Sequence, residues 1–101
     1  MATFRFSNRA LADLDSIVAY TIETWDAGQT VRYLGQLEAA CQRLVDIPAL
    51  GRRCDHIRPG LWRLEEGSHV LFFRRQGADI LVCRILHYRM LPKRHSIDDE
   101  E

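Results

Sequence analysis

The sequence predicts an α+β domain: an N-terminal strand and a two-helix hairpin packed on a small, mainly antiparallel four-stranded sheet. Three observations carry that prediction. Residues 67–90, GSHVLFFRRQGADILVCRILHYRM, contain two runs of β-branched and aromatic residues joined by Gln76, Gly77 and Ala78, which is a hairpin signal. Residues 9–47 contain two stretches with apolar residues at three- and four-residue spacing, the period of an amphipathic helix. At 101 residues and 47% hydrophobic content, the chain supports one core, so helices and strands must share it.

Each element follows from its residues. Residues 3–6 alternate weakly and end at Ser7 and Asn8, either of which can cap a helix by accepting a free backbone N–H. From Arg9 onward Leu11, Leu14, Ile17, Val18, Thr21, Ile22 and Trp25 form one helical stripe. Residues 25–28 interrupt it, with Trp25 closing the end of the helical hairpin. Val31, Leu34, Leu37, Cys41, Leu44 and Val45 form a second stripe, with Tyr33 off its main line and facing a groove. That helix ends before Pro48, because proline disfavours helical geometry in the residue ahead of it. So short a link makes the two helices antiparallel.

Residues 49–60 form a basic loop with Arg52, Arg53 and Arg58, read as a binding cluster. Residues 61–65 form a short strand, and Glu66 and Gly67 a tight turn. Residues 69–75 place Val70, Phe72 and Arg74 on one face and Leu71, Phe73 and Arg75 on the other. Residues 79–86 are apolar on both faces, with Ile80, Val82 and Leu86 on one side and Leu81, Cys83 and Ile85 on the other. Such a strand belongs inside a sheet covered on both faces. A single domain over residues 1–92 and a flexible acidic tail over residues 93–101 complete the division.

Charge is balanced in total, 14 basic against 14 acidic residues, but not in distribution. Residues 1–50 hold four arginines against six acids. Residues 51–97 hold nine arginines and Lys93 against four acids, and residues 98–101 are all acidic. The C-terminal half therefore offers a basic surface to an acidic partner, and its arginines suit bidentate recognition of carboxylate or phosphate. The three cysteines have no metal-ligand spacing: Cys41 and Cys83 sit in apolar patterns, and Cys54 in a polar loop reads as exposed. With no signal peptide and no apolar run of membrane-spanning length, a cytoplasmic protein without membrane contact is the consistent reading.

For catalysis, the arrangement worth weighing is His87-Tyr88 at the end of the last strand with His69 and Arg63 on neighbouring strands. Such a group could act as general acid and base on a phosphodiester. The residue-level reading nevertheless favours His87 as a packing residue and assigns no catalytic group, metal ligand or cofactor. Trp62, beside the basic loop, reads equally as core or as a binding anchor.

The text RPGL, then GSHVLFFR, then VCRILHYRM, together with Ala12-Asp13-Leu14 and Ile17 in the first helix and Pro48, Leu50 and Gly51 after the second, resembles the ParE toxins of the RelE/ParE superfamily. The likeness runs from about Phe4 to Met90. It implies the toxin of a type II toxin–antitoxin module, a growth-arresting protein that inhibits DNA gyrase, is not an enzyme and forms a hetero-oligomer with a ParD-like antitoxin. Charge and amphipathic placement then suggest antitoxin contact by Tyr33, Arg58, Trp62, Arg63 and Arg74. The end of the last strand and its tail, with Tyr88, Arg89, Met90, Lys93 and Arg94, suggest the target contact, without sequence-specific nucleic-acid binding. Two alternatives stay open. One is a ribosome-dependent mRNA interferase of the RelE and YoeB-like branch, using His87, Tyr88 and Arg63. The other is a non-toxic module that only binds antitoxin.

Overall fold

The computed structural model describes residues 1–90. Strand β1 (Phe4–Phe6) ends at Ser7, whose hydroxyl accepts the Ala10 amide at 3.0 Å and so caps helix α1 (Asn8–Thr24). The same hydroxyl donates to the Cys83 carbonyl at 2.8 Å. One buried serine thus starts the helix and ties it to the sheet. Asp26 caps helix α2 (Ala27–Asp46) by accepting the Gln29 amide at 2.8 Å. The interruption expected over residues 25–28 therefore shrinks to Trp25 and Asp26. Among the described residues no helix is long and apolar enough to cross a membrane.

The buried stripe of α2 is Thr30, Tyr33, Leu37, Ala40, Cys41 and Leu44, not the purely apolar series expected. Val31 is 69% exposed, whereas Tyr33, expected off the stripe, is only 8% exposed and belongs to the main core. Both series have helical period. The winning one contains polar atoms that find partners locally: the Thr30 hydroxyl donates to the Asp26 carbonyl at 3.0 Å. Thr21 in α1 does the same toward Ile17 at 2.8 Å, while Leu11 and Ile22 remain about half exposed.

After a single 3-10 turn at Pro48–Leu50 come β2 (Arg52–Arg53), β3 (Trp62–Glu66), β4 (His69–Gln76) and β5 (Asp79–His87). The sheet has five strands in the order β1-β5-β4-β3-β2, with β1 parallel to β5 and the remaining pairs antiparallel. The strand beyond the expected four is β2. Its two arginines pair with Arg63 and Trp62 at the sheet edge, a ladder too short to leave an alternating pattern in the sequence.

A bulge reorganises β5. Phe72 lies opposite Arg84 and Phe73 opposite Val82, which leaves Cys83 as the extra residue. Ile80, Val82 and Ile85 consequently share the helix-side core with Leu71 and Phe73, while Leu81, Cys83 and Leu86 pack on the other face with Val70 and Phe72. Strict alternation had put Leu86 with Val82 and Ile85 with Leu81. Residues 54–61 cover that second face, contributing Cys54, Ile57 and Leu61. Cys54, expected to be exposed, is fully buried there: its amide donates to the Leu61 carbonyl at 2.7 Å, and its carbonyl accepts the Ile57 amide at 2.9 Å. At one end of the sheet His69 pairs with His87, and at the other Gln76 pairs with Asp79. The seven steps between them amount to about 23 Å.

Candidate functional site

The sheet end that carries His69 and His87 borders a groove of about 580 Å³, walled by α1 on one side and by the last residues of β5 on the other. Its geometry starts from a pin between those walls. Asp13 of α1 accepts Arg84 Nε at 2.8 Å and Nη2 at 3.0 Å, and also the Ile85 amide at 2.9 Å. This bidentate pair sets the spacing of the walls and occupies the Arg84 charge.

Tyr33 organises the floor. Its hydroxyl accepts the Ser68 amide at 3.1 Å, lies 2.5 Å from His69 Nδ1 and lies 3.4 Å from the Glu66 carbonyl. The turn between β3 and β4 is shaped to meet it: Gly67 has φ +57°, and a Cβ there would sit 2.7 Å from Tyr33 Cε1. Burial raises the Tyr33 pKa, so the phenol keeps its proton and remains a donor.

From Tyr33 a chain of rings crosses the groove. Trp25 meets Tyr33 edge-on at 6.0 Å, and Tyr33 lies 5.5 Å from His69. His69 meets His87 edge-on at 5.4 Å, and His87 stacks on Tyr88 at 4.6 Å. The Arg89 guanidinium sits 5.6 Å over the Tyr88 ring. Sequence neighbours His87 and Tyr88 can stack because β5 ends at His87 and a 3-10 turn, Tyr88–Met90, follows. Burial, and then the neighbouring His87, lower the His69 pKa against the opposing pull of Asp13. His69 is therefore neutral near pH 7, and the groove is mainly an apolar, aromatic surface with Arg89 and Met90 among its lining residues. Such a surface accepts the apolar face of a peptide segment better than a free anion. Among the described residues no group of three or more His, Cys, Asp or Glu side chains could hold a metal ion.

The sequence-derived residues divide among three places. Tyr33, His87, Arg89 and Met90 come together in the groove, with Tyr88 stacked on His87 beside it. Trp62 packs against the main core and stacks on Phe73 at 6.4 Å, with the guanidiniums of Arg53 and Arg75 at 5.3 and 5.2 Å from its ring. It is thus part of the core on one side and an arginine-flanked surface on the other. Arg58 and Arg74 lie at the loop over the second face, where Arg74 donates to the Pro59 carbonyl at 3.0 Å. Arg63 also turns to that face, beside Cys54 and 3.3 Å from Glu65.

Tyr33 is therefore separated from Arg58, Arg63 and Arg74, and Arg63 is on the opposite side of the sheet from His87 and Tyr88. Lys93 and Arg94 lie outside the described residues. Asp13, Tyr20, Trp25 and Arg84 line the groove without having been singled out as site residues. For Asp13 and Arg84 the available signal was an acid on the inner side of α1 and an arginine within an otherwise apolar strand.

Comparison with known proteins agrees with this architecture. Residues 4–92 match the family model described as ParE toxin of type II toxin-antitoxin system, parDE. Toxin ParE1 of Caulobacter vibrioides is 35% identical over 95 residues, covering 94% of this chain and 98% of that protein. Toxin ParE1 of Mycobacterium tuberculosis is 41% identical over 88 residues, covering 86% and 90%. Among solved structures, a chain of the chromosomal ParDE system from P. aeruginosa superposes with a TM-score of 0.71 at 21% identity, covering 86% of this chain and 96% of that one. A chain of the toxin–antitoxin complex RelBE2 from Mycobacterium tuberculosis gives 0.62 at 17% identity, covering 84% and 95%, so the two solved structures share the α+β fold. With the matched residues spanning β1 to the end of the groove, the chain belongs to the ParE toxin family of type II toxin–antitoxin systems.

Proposed function

We propose that this toxin arrests growth in the cytoplasm by inhibiting DNA gyrase, and that a ParD-like antitoxin neutralises it by lying in the groove. One observation carries the reading: Tyr33, assigned to antitoxin contact, lines the same groove as Arg89 and Met90, assigned to target contact. A segment bound along Trp25 and Tyr33 would cover both. Inhibition and neutralisation then need no catalytic group, only competition for one surface.

The groove suits the apolar face of an amphipathic segment, and the arginines farther along the sheet suit its acidic residues. Arg74 is five residues along β4 from His69, about 17 Å, and on the other face of the sheet, so a segment that touches both has to pass round the sheet edge. Tyr88, Arg89, Met90, Lys93 and Arg94 are the proposed gyrase contacts. The nuclease alternative needs Arg63 near His87 and Tyr88, and Arg63 faces the other side of the sheet.

Expression of the toxin without its antitoxin tests the reading, with DNA supercoiling, SOS induction and bulk mRNA integrity measured in parallel. Lost supercoiling with intact mRNA supports it. Cleaved mRNA with normal supercoiling transfers the function to the nuclease branch, and harmless expression indicates a module that only binds antitoxin.

A further inference from the structure

The hydrogen bonds of the ring chain specify which protonation state the groove requires. The Tyr33 hydroxyl already accepts the Ser68 amide, and its own proton has two possible acceptors, His69 Nδ1 at 2.5 Å and the Glu66 carbonyl at 3.4 Å. The nearer one makes His69 an acceptor at Nδ1, hence a neutral ring protonated at Nε2. His87 is constrained more tightly. Its Nδ1 accepts the Arg89 amide at 3.1 Å, and a backbone N–H can only donate.

The two histidines therefore respond differently to a proton. If His69 takes one up at Nδ1, the Tyr33 bond reverses: the imidazolium donates to the phenol oxygen, and the phenol proton turns to Glu66. No contact is lost. If His87 takes one up, its new N–H points at the Arg89 N–H, and the bond that closes the 88–90 turn is broken. The turn is also anchored to the sheet by the Tyr88 amide, which donates to the Ser68 carbonyl at 3.0 Å.

We propose that His87, in its neutral form, is the positioning residue of the toxin's target-contacting turn: Nδ1 holds the Arg89 amide while the ring carries Tyr88, and protonation breaks the first of these two contacts. The assignment of that turn to the target rests on the gyrase reading above, whereas the lock itself rests on the hydrogen bond. The charged and titratable groups around the pair are Asp13 and Tyr20 from α1, Tyr33 from α2, Glu66 from β3, Arg84 from β5, and Tyr88 and Arg89 from the turn. Asp13 is occupied by Arg84, and the Glu66 carboxylate by Arg43 at 2.7 Å. Neither is left to compensate a cationic His87.

Two substitutions separate the bond from the packing. His87→Asn places an amide oxygen on the same γ carbon that carries Nδ1, and so keeps an acceptor that does not titrate. His87→Phe keeps a ring against Tyr88 and removes the acceptor. The measurement is hydrogen exchange of the Arg89 amide in the full-length toxin across a pH series in which protonation of the His87 ring is followed by NMR, expressed as protection relative to the unstructured rate. The expected result is about fivefold to tenfold protection in the wild type while His87 is neutral, lost as the ring takes up its proton. His87→Asn should remain protected throughout, and His87→Phe unprotected throughout. Equal protection of wild type and His87→Phe while His87 is neutral, or wild-type protection that persists once the ring is protonated, overturns the lock.

A supercoiling assay on the same proteins reads the functional half. The ratio of wild-type to His87→Asn potency, which cancels the pH dependence of gyrase itself, should fall as the wild-type ring takes up its proton. A ratio that stays constant while Arg89 protection is lost shows that the turn does not contact the target. Absence of gyrase inhibition in every form overturns the gyrase reading and leaves the His87 lock standing on exchange alone.

Discussion

Asp13 and Arg84 form the contact on which the groove depends most. Both side chains are largely buried, at 13% and 21% exposure, and Asp13 also takes the Ile85 amide. Removing the carboxylate takes the bidentate contact from the Arg84 guanidinium and the acceptor from the Ile85 amide, so Asp13→Ala should cost about 3 kcal/mol in urea unfolding. Adding Arg84→Leu should recover part of that loss, since a largely buried charge that has lost its carboxylate is gone, and the double-mutant cycle should show strong coupling. Additive effects would mean the pin does not hold α1 against β5.

His69 adds a pH dependence of defined sign. Its pKa is lowered in the folded state, first by burial and then by His87. Folding therefore favours the neutral ring, and this contribution is fully present above the unfolded-state value of about 6.5. It disappears as pH falls through the lower folded-state value. The urea midpoint should drop between pH 7 and pH 5, and the drop should be smaller in His69→Gln. A His69→Gln protein with the wild-type pH slope would remove His69 from the account.

Among the elements, α1 shows how one residue can serve two structures. Ser7 caps the helix and bonds Cys83 across the sheet while 1% exposed. Ser7→Ala should cost about 1–2 kcal/mol, at the upper end for a cap because the Cys83 carbonyl loses its donor too. Calorimetry should register this as a lower Tm with the helix content unchanged. Unaltered stability would show that β1 and β5 hold the helix start without it.

The elements also show what the sequence makes legible. The helical hairpin and the long strand pair were readable because period 3.6 and period 2 are imposed along many residues. The inner face of α2 was misread because Thr30 and Tyr33 satisfy their polar atoms inside the core, which an apolar count does not register. The bulge at Cys83 was invisible because β5 is apolar on both faces, so a one-residue slip leaves no polar residue out of place. Cys54 looked exposed among charged neighbours, yet residues 54–61 fold their few apolar side chains onto a sheet face that needed covering. β2 was missed because two paired arginines carry no pattern.

At the scale of the whole molecule, the sheet separates two surfaces. One end holds the groove, the two histidines and the 88–90 turn. The arginines of β2 and β4 and the loop over the second face lie toward the other. The proposed antitoxin contacts divide between these regions, whereas the proposed target contacts among the described residues lie at the groove end alone. Residues of the site were legible singly, as aromatic or basic side chains in exposed segments. Their assembly was not, because Tyr33, His69 and His87 come from α2, β4 and β5, and only the register of the folded sheet brings them together.

The most direct test of this account is a gyrase supercoiling assay with purified toxin, comparing the wild type with the Tyr88→Ala, Arg89→Ala, Met90→Ala triple variant. All three residues are exposed, so the variant should fold with near wild-type stability. The account predicts that the wild type inhibits supercoiling, that a stoichiometric antitoxin restores it, and that the triple variant still binds antitoxin while inhibition is lost. A triple variant that inhibits as strongly as the wild type would contradict the assignment of the groove end as the toxin's working surface.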